Sequence, residues 1–423
     1  MLSTLRNAWK VPELRKRFLW TIFLVAIFRI GIHIPVPGID TSALSTLTES
    51  GGLLSFYNLI SGGAFTKASI LALSVSPYIN ASIIMQLLTI AIPSLEQLSK
   101  EGEEGRKKIQ SITRYVSIGI ACVLALGVYS TIANLGATSG VGTLEKIVVI
   151  FSLVVGSTFC MWLGDQITQK GFGNGVSILI FVNIVSQIPS TVNSVYTLKT
   201  AGEISIIEIL LFLVGVIALL AVTIFFSLAE RRVPIQYAGK AVGSKVMKGQ
   251  STHIPLSIIG SAVIAIIFAM SVMMFPTTIA AFFPSKGWAS WITSSKYSIF
   301  NTGTWMYPVC YAVLTVFFTW FYTQITFKPD EMAENLHKSA GFVPGIRPGE
   351  ATEKYFENLL TKVSIIGGLF AAFLAVTPIL VGKYISGVQF GGTSLLILIG
   401  VALDFSRQLD SQLVMRHYDG FLK

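Results

Sequence analysis

Side chains able to do chemistry are few in this sequence, and their spacing forbids most of what they could do. Cys122, Cys160 and Cys310 lie far apart in apolar surroundings, without the paired spacing of a metal or redox motif. They are expected to pack. Carboxylates and imidazoles sit at the ends of apolar runs rather than inside them: Asp165 and Asp404 each close one, His33 lies near the end of the first, and His253 starts another, while His337 and His417 fall in polar segments. There is no HExxH, no GxSxG and no phosphate-binding GxxxxGKS/T. The stretch GFGNG, 171–175, resembles a phosphate loop only superficially. It lacks the Lys-Ser/Thr pair and a preceding strand, so a flexible entry to a helix is expected. Arg29 alone carries a charge well inside an apolar run, where it is expected to snorkel outward or pair with a backbone carbonyl. No catalytic residue, metal or cofactor is expected.

The elements that hold these residues follow from hydropathy. Mean hydropathy is +0.70 and only 12% of the 423 residues are charged, about half the share in an average soluble protein. A chain this apolar is expected to be a polytopic membrane protein. No cleavable signal peptide is expected, because Arg15, Lys16 and Arg17 precede the first apolar run and no small-residue cleavage site follows it. The basic start, MLSTLRNAWKVPELRKRF, reads as an amphipathic segment on the membrane surface, where its charge suits anionic lipid. Windows of about 19 residues predict ten spanning helices near 18–36, 68–92, 115–135, 147–164, 174–190, 206–228, 254–283, 304–327, 363–382 and 392–406.

Charge orients them. With the N-terminus in the cytoplasm, 24 of the 31 Lys and Arg residues fall in cytoplasmic segments and six in external ones, with Arg29 inside a span. Missing one span would invert every later loop and destroy that bias. Both termini are therefore expected in the cytoplasm of a multi-pass protein of the cell (inner) membrane. Ten spans divide at an external hinge loop, 191–205, into an N-terminal half, 1–190, and a C-terminal half, 206–423. Five spans per half make the second insert upside down relative to the first, which is the topology of an inverted repeat around a central site.

Three connections are unusual. Residues 229–253 carry five Lys/Arg and alternate apolar and polar residues through RVPIQYA, so a basic hairpin is expected. Within 328–362, two Pro-Gly pairs flank Arg347 and predict a stiff tip presenting one cation. Positive-inside topology alone demands basic loops, but a structured basic finger also suits docking to RNA phosphates or an acidic protein surface. The third, Gly51 to Phe65, is apolar yet far shorter than the roughly 20 residues of a spanning helix, and glycine pairs bracket it: Gly51 and Gly52 before, Gly62 and Gly63 near its end.

Six blocks carry a resemblance: IPVPGID (34–40), SPYINASIIMQLL (76–88), KEGEEGRKKI (100–109), GFGNGVSILIF (171–181), NLHKSAGFVPGIRPGEAT (335–352) and FGGTSLLI (390–397). In content, order and spacing the chain resembles the SecY family of protein-conducting channels over nearly its whole length. The resemblance implies an all-α fold of two inverted five-helix halves around an hourglass pore that opens sideways toward lipid. It implies SecE and SecG as small companion subunits, the SecA ATPase or the ribosome as the source of driving force, and signal-sequence-bearing polypeptides as substrates. Matching the blocks places a ring of pore-lining aliphatic residues at Ile79, Ile83, Ile180, Ile184, Ile267 and Ile397. An isoleucine in a span ordinarily faces lipid or packing, so only the resemblance marks these six. The family's plug, a short helix seated under the ring, falls on 51–65, with Leu53, Leu54, Phe56, Tyr57, Leu59 and Ile60 as its apolar surface. The lateral gate falls on the second and third spans against the seventh and eighth. Asn80 and Gln86 lie in the gate, and Pro77 and Pro276 are expected to bend or break helices on its two sides. Docking of SecA and the ribosome falls on Arg231, Arg232, Lys240 and Arg347.

Two other classes are weighed against a channel. A secondary transporter using Gly51 to Phe65 as a half-helix predicts ionisable residues at mid-span, which are missing, and gives Arg347 no role. A membrane scaffold leaves the plug-like segment unused.

Overall fold

The computed structural model describes residues 9, 11–39, 58, 61–134, 142–200, 202, 205–237, 241–242, 245–246, 251–260, 262–282, 286–301, 303–384 and 392–419. Each of the ten expected spans falls on one helix: α1 (Pro12–Gly31), α2 (Ser76–Ala91), α4 (Glu103–Asn134), α5 (Thr143–Lys170), α6 (Gly175–Thr200), α7 (Ile206–Leu228), α8 (Ala262–Phe282), α10 (Met306–Phe327), α12 (Glu350–Tyr384) and α13 (Gly392–Asp419). Three shorter helices are α3 (Pro93–Lys100), α9 (Gly287–Ser294) and α11 (Pro329–Lys338). Among the described residues, six helices are long and apolar enough to cross a membrane unaided, and the pair α2–α3, bent by 100°, makes a seventh.

Local chemistry explains the breaks. Pro93 disfavours helical geometry at the residue before it, and Ile92 is extended at φ −110°, ψ 113°, so the chain turns sharply between α2 and α3. Glu145 and Glu208 each accept the backbone N–H at the start of their helices, from Gly142 at 3.1 Å and Ser205 at 2.9 Å. α7 has a mean hydropathy of 3.1 and almost no buried surface, as a helix facing hydrocarbon would.

The chain divides into two compact units. The first comprises Met1–Leu198, Met274–Thr302 and Gly400–Lys423. In it α4 packs against α2, α3 and α5, and α1 against α5. Its core joins Phe65, Ala68, Ala72 and Leu73 to Leu124, Ala125 and Val128 of α4 and Val149 and Leu153 of α5. Phe18, Phe172 and Phe405 cluster with ring centroids 4.8–5.7 Å apart, beside buried Leu14 and Leu409.

The second unit comprises Lys199–Met273 and Gly303–Ile399. Its helices α10 and α12 pack along their length, and Gln324 donates to Thr361 Oγ1 across them at 2.9 Å. Its polar part is a small sheet. β1 (Glu230–Tyr237) pairs antiparallel with β4 (Ser251–Ser257), in register from Glu230↔Ser257 to Gln236↔Ser251. β2 (Ala241–Val242) and β3 (Lys245–Val246) pair farther along the hairpin. β5 (Gly341–Phe342) adds to the other edge of β1.

Several boundaries differ from the sequence reading. The second span was expected from residue 68, but 61–75 is a chain of turns and α2 begins at Ser76. That segment is apolar because it is buried in protein, and a hydropathy window cannot tell this from burial in lipid. Pro77 stands in the first turn of α2, where its missing N–H has no helical partner to lose, so it starts the helix rather than bending it. Pro276 does lie inside α8. The hinge loop expected at 191–205 is helical through Thr200, because α6 continues past Pro189. The seventh span was expected from 254, but β4 holds the chain to Ser257 before α8 starts at Ala262.

Candidate functional site

The ring candidates sit on four helices. Ile79 and Ile83 share one face of α2, and Ile180 and Ile184 share one face of α6, because each pair is four residues apart. Ile83, Ile180 and Ile184 are 7%, 7% and 6% exposed, and Ile79 is half-buried. All four belong to the first unit. Half-buried Ile267 on α8 and buried Ile397 on α13 belong to the second. Asn80 and Gln86 both stand on α2, half-buried and exposed respectively. Six residues along a helix turns them about 120° apart, so they do not share a face.

The plug candidates Leu53, Leu54, Phe56, Tyr57, Leu59 and Ile60 lie outside the described residues, as do Gly51 and Gly52. The segment that follows them is described, and it is held tightly. Gly62 and Gly63 take left-handed φ values of +68° and +86°, which glycine adopts without steric cost. A side chain at Gly62 would come within 2.5 Å of Asn183 Oδ1 and 2.9 Å of Arg29 Nη1. Asn58 is the hub. Its carbonyl accepts from Gly63 N–H at 2.9 Å, Ser61 Oγ at 3.2 Å and Gln187 Nε2 at 3.1 Å. Its Oδ1 accepts the Thr66 N–H at 3.1 Å, with Thr66 Oγ1 at 2.9 Å. Farther on, Val36 N–H donates to the Ala68 carbonyl at 2.7 Å and Ile70 N–H to that of Ile34 at 3.1 Å, tying the segment to the end of α1.

Arg29 stands half-buried in the last turn of α1, and its hydrogen-bond partner is a side chain rather than a backbone carbonyl. Its Nη1 reaches the side-chain Oδ1 of Asn183 at 3.5 Å, and the Asn183 Nδ2 donates to Ser74 Oγ at 3.3 Å. Nearby, Lys67 Nζ lies 3.0 Å from His33 Nε2, and His33 Nδ1 lies 3.0 Å from the Arg29 carbonyl. An ammonium only donates and a carbonyl only accepts, so the neutral Nδ1–H tautomer satisfies both contacts. Asn58, Asn183 and Gln187 were missed in the sequence. Two amides four residues apart on an otherwise apolar stretch of α6 were the available signal, since that spacing stacks them on one face beside the isoleucine pair.

The GFGNG turn is a clamp, where a flexible entry was expected. Thr21 Oγ1 accepts the Phe172 N–H at 3.0 Å, Thr168 Oγ1 accepts that of Gly175 at 2.8 Å, and Asn174 Oδ1 caps α6 through Ser177 N–H at 3.2 Å. A Cβ at Gly175 would overlap the Gly164 carbonyl. Asp165, near the end of α5, pairs with Arg114 of α4 at 2.8 Å.

In the second unit the hairpin and the Arg347 segment share a base. Val233 and Ile235 of β1, Leu256 of β4, Leu336 of α11, Val343, and Phe356 and Leu360 of α12 form one buried cluster. Strand alternation puts Arg231 on the face of Val233 and Ile235, and Arg232 on the opposite face with Pro234 and Gln236. Both arginines are exposed, and Lys240 lies outside the described residues. Arg347 is exposed between Gly345, at φ +82°, and Gly349, at φ +101°, and its carbonyl accepts from buried Thr352 Oγ1 at 3.0 Å. Both glycines of the Pro-Gly pairs thus take the left-handed conformation that permits a sharp reversal.

Two solved structures share this architecture. One, described as a protein conducting channel, matches with a TM-score of 0.66 at 18% identity, over 95% of this chain and 93% of the other. A second matches with a TM-score of 0.65 at 17% identity, over 95% and 92%, and is described as a SecY protein whose plug domain stabilises the closed state of the translocation channel and maintains a membrane seal. The fold is therefore that of the helical, multi-pass protein-conducting channels. A SecY family model matches residues 69–406. The protein translocase subunit SecY of Rickettsia typhi is 40% identical over 420 residues, 97% of this chain and 96% of that one. The chain belongs to the SecY family.

Proposed function

We propose that this chain is the pore-forming subunit of a protein translocase, which conducts unfolded secretory polypeptides across the membrane and releases transmembrane helices sideways into lipid. The observation that carries this is 40% identity to a translocase subunit over nearly the full length of both chains. Ile79, Ile83, Ile180, Ile184, Ile267 and Ile397 form the seal. Branched aliphatic side chains make no hydrogen bonds to a passing chain, so they close around any sequence, and they dewet a narrow pore against ions. Residues 51–65 are the plug. At about 25 cal/mol per Å², a few buried apolar side chains hold it with several kcal/mol before costs, which an engaged substrate can overcome. Asn80 and Gln86 contribute polar contacts to the lateral gate, each worth about 0.6 kcal/mol across a helix seam. That is weak enough to open as a signal helix partitions into lipid.

The chain itself is not an enzyme. Work comes from SecA or the ribosome, docked on Arg231, Arg232, Lys240 and Arg347, with SecE and SecG as companion subunits. The shared apolar base of the hairpin and the Arg347 turn supports a single docking surface, because it holds both loops on one support. The protein resides in the cell (inner) membrane with both termini cytoplasmic and anionic lipid against its basic segments. Its proposed domains are two inverted halves, 1–190 and 206–423, joined by the 191–205 hinge. Deleting residues 53–60 in the reconstituted channel should raise resting ion conductance, and unchanged conductance would refute the plug. Purification from its native membrane should bring down a SecE-like small membrane protein.

A further inference from the structure

The geometry points to a polar latch that fixes the end of the plug segment and the turns after it, and so sets how readily the channel opens. This rests on the plug reading above. The latch has two residues, both on α6. Gln187 Nε2 donates to the Asn58 carbonyl at 3.1 Å. One turn earlier, buried Asn183 receives Arg29 Nη1 at 3.5 Å and donates to Ser74 Oγ at 3.3 Å. Asn58 stands among the plug candidates, between Tyr57 and Leu59, and Ser74 lies two residues before α2 begins. Asn58 and Ser74 are thus both held to one face of one helix.

The packing around these contacts leaves little room. Gly62 passes so close to Asn183 and Arg29 that it has no space for a Cβ, and Gly63 passes within 3.5 Å of Gln187 by the same measure. Ser74 is held at φ +49°, a conformation that costs a non-glycine residue energy and persists only where surroundings enforce it. The bond from Asn183 is one such enforcement. The same two amides stand beside Ile180 and Ile184 on α6, so the helix that carries half of the sealing pairs also carries the latch. The Asn183–Ser74 bond is buried, so losing it leaves a desolvated polar group, while the Gln187–Asn58 and Arg29–Asn183 contacts are half-buried. The latch is therefore firm while made and costly to break halfway, as a two-state catch should be.

The test uses the reconstituted channel with its companion subunits and reads two things: resting ion conductance in a planar bilayer, and the share of a signal-sequence-defective precursor that is translocated. Gln187→Leu and Asn183→Leu should each raise both several-fold. Gln187→Lys, which keeps a donor toward the Asn58 carbonyl, should restore the parent's values. Amide hydrogen exchange at Gly63 and Thr66, whose N–H groups bond to Asn58, should quicken in Gln187→Leu while exchange in α4 stays unchanged. Deletion of 53–60 is the reference. If the deletion leaks and both leucine variants stay tight, the latch is wrong and the plug stands. If neither leaks, the plug reading fails and takes the latch with it. If Gln187→Leu leaks, Gln187→Lys leaks equally, and exchange quickens throughout, the amide is merely structural and the latch is overturned.

Discussion

A guanidinium inside an apolar helix must find a partner or water, because an isolated buried charge costs several kcal/mol. Arg29 finds an amide oxygen, which satisfies a donor without adding a countercharge that would bind it more tightly. Asp165 and Arg114 show the contrasting choice, with opposite charges at 2.8 Å and the carboxylate 13% exposed. At this scale the proposed seal and docking tip make separate predictions. Replacing Ile83 and Ile184 together by glycine should raise ion leak during translocation, measured as conductance with a precursor arrested in the pore. A seal as tight as the parent's would remove these two residues from the ring. Arg347→Glu should abolish SecA-driven translocation in vesicles while SecE still co-purifies, since it reverses the charge of an exposed tip and touches no core. Normal translocation would take Arg347 out of the docking surface.

At the scale of elements, the GFGNG turn and the Arg347 turn show how little sequence is needed to fix a connection. Gly175 stands where α5 and α6 approach so closely that the Gly164 carbonyl occupies the place of a Cβ. Gly175→Ala should therefore destabilise the protein by about 1–3 kcal/mol, as overpacking does. The check is a lower midpoint in thermal unfolding of the detergent-solubilised complex, and an unchanged midpoint would mean the helices separate freely there. Gly349, at φ +101°, should tolerate alanine only with strain. Gly349→Ala is expected to speed proteolytic cleavage of the 343–350 segment while leaving the helices protected. The hairpin and the segment before α12 look like two independent loops in the sequence. They are one element in the structure, because β5 pairs with β1 and Val343 joins the hairpin's apolar base.

For the molecule as a whole, orientation is the testable quantity. In a variant with Cys122, Cys160 and Cys310 replaced, a single new cysteine at Arg347 or Lys240 should react with a membrane-impermeant thiol reagent in inside-out vesicles. One at Gly202 or Lys286 should react only in right-side-out vesicles. The opposite pattern at either pair would break the ten-span topology. The chain by itself determined a great deal here. Twenty-residue apolar runs can be satisfied in a bilayer only as helices, so all ten expected spans fall on helices, and alternation in RVPIQYA led to a real strand. Other features could be decided only by the tertiary fold. The turns at 68–75 were expected as the start of a spanning helix, because hydropathy reports burial without reporting what buries. The partner of Arg29 was unreadable because Asn183 stands 154 residues away. Asn58 gained its place only because the folded chain brings its carbonyl to Gln187. Local periodicity is written in a few consecutive residues, whereas polar pairing depends on which distant groups the packing brings within 3 to 3.5 Å, and no local pattern encodes that distance.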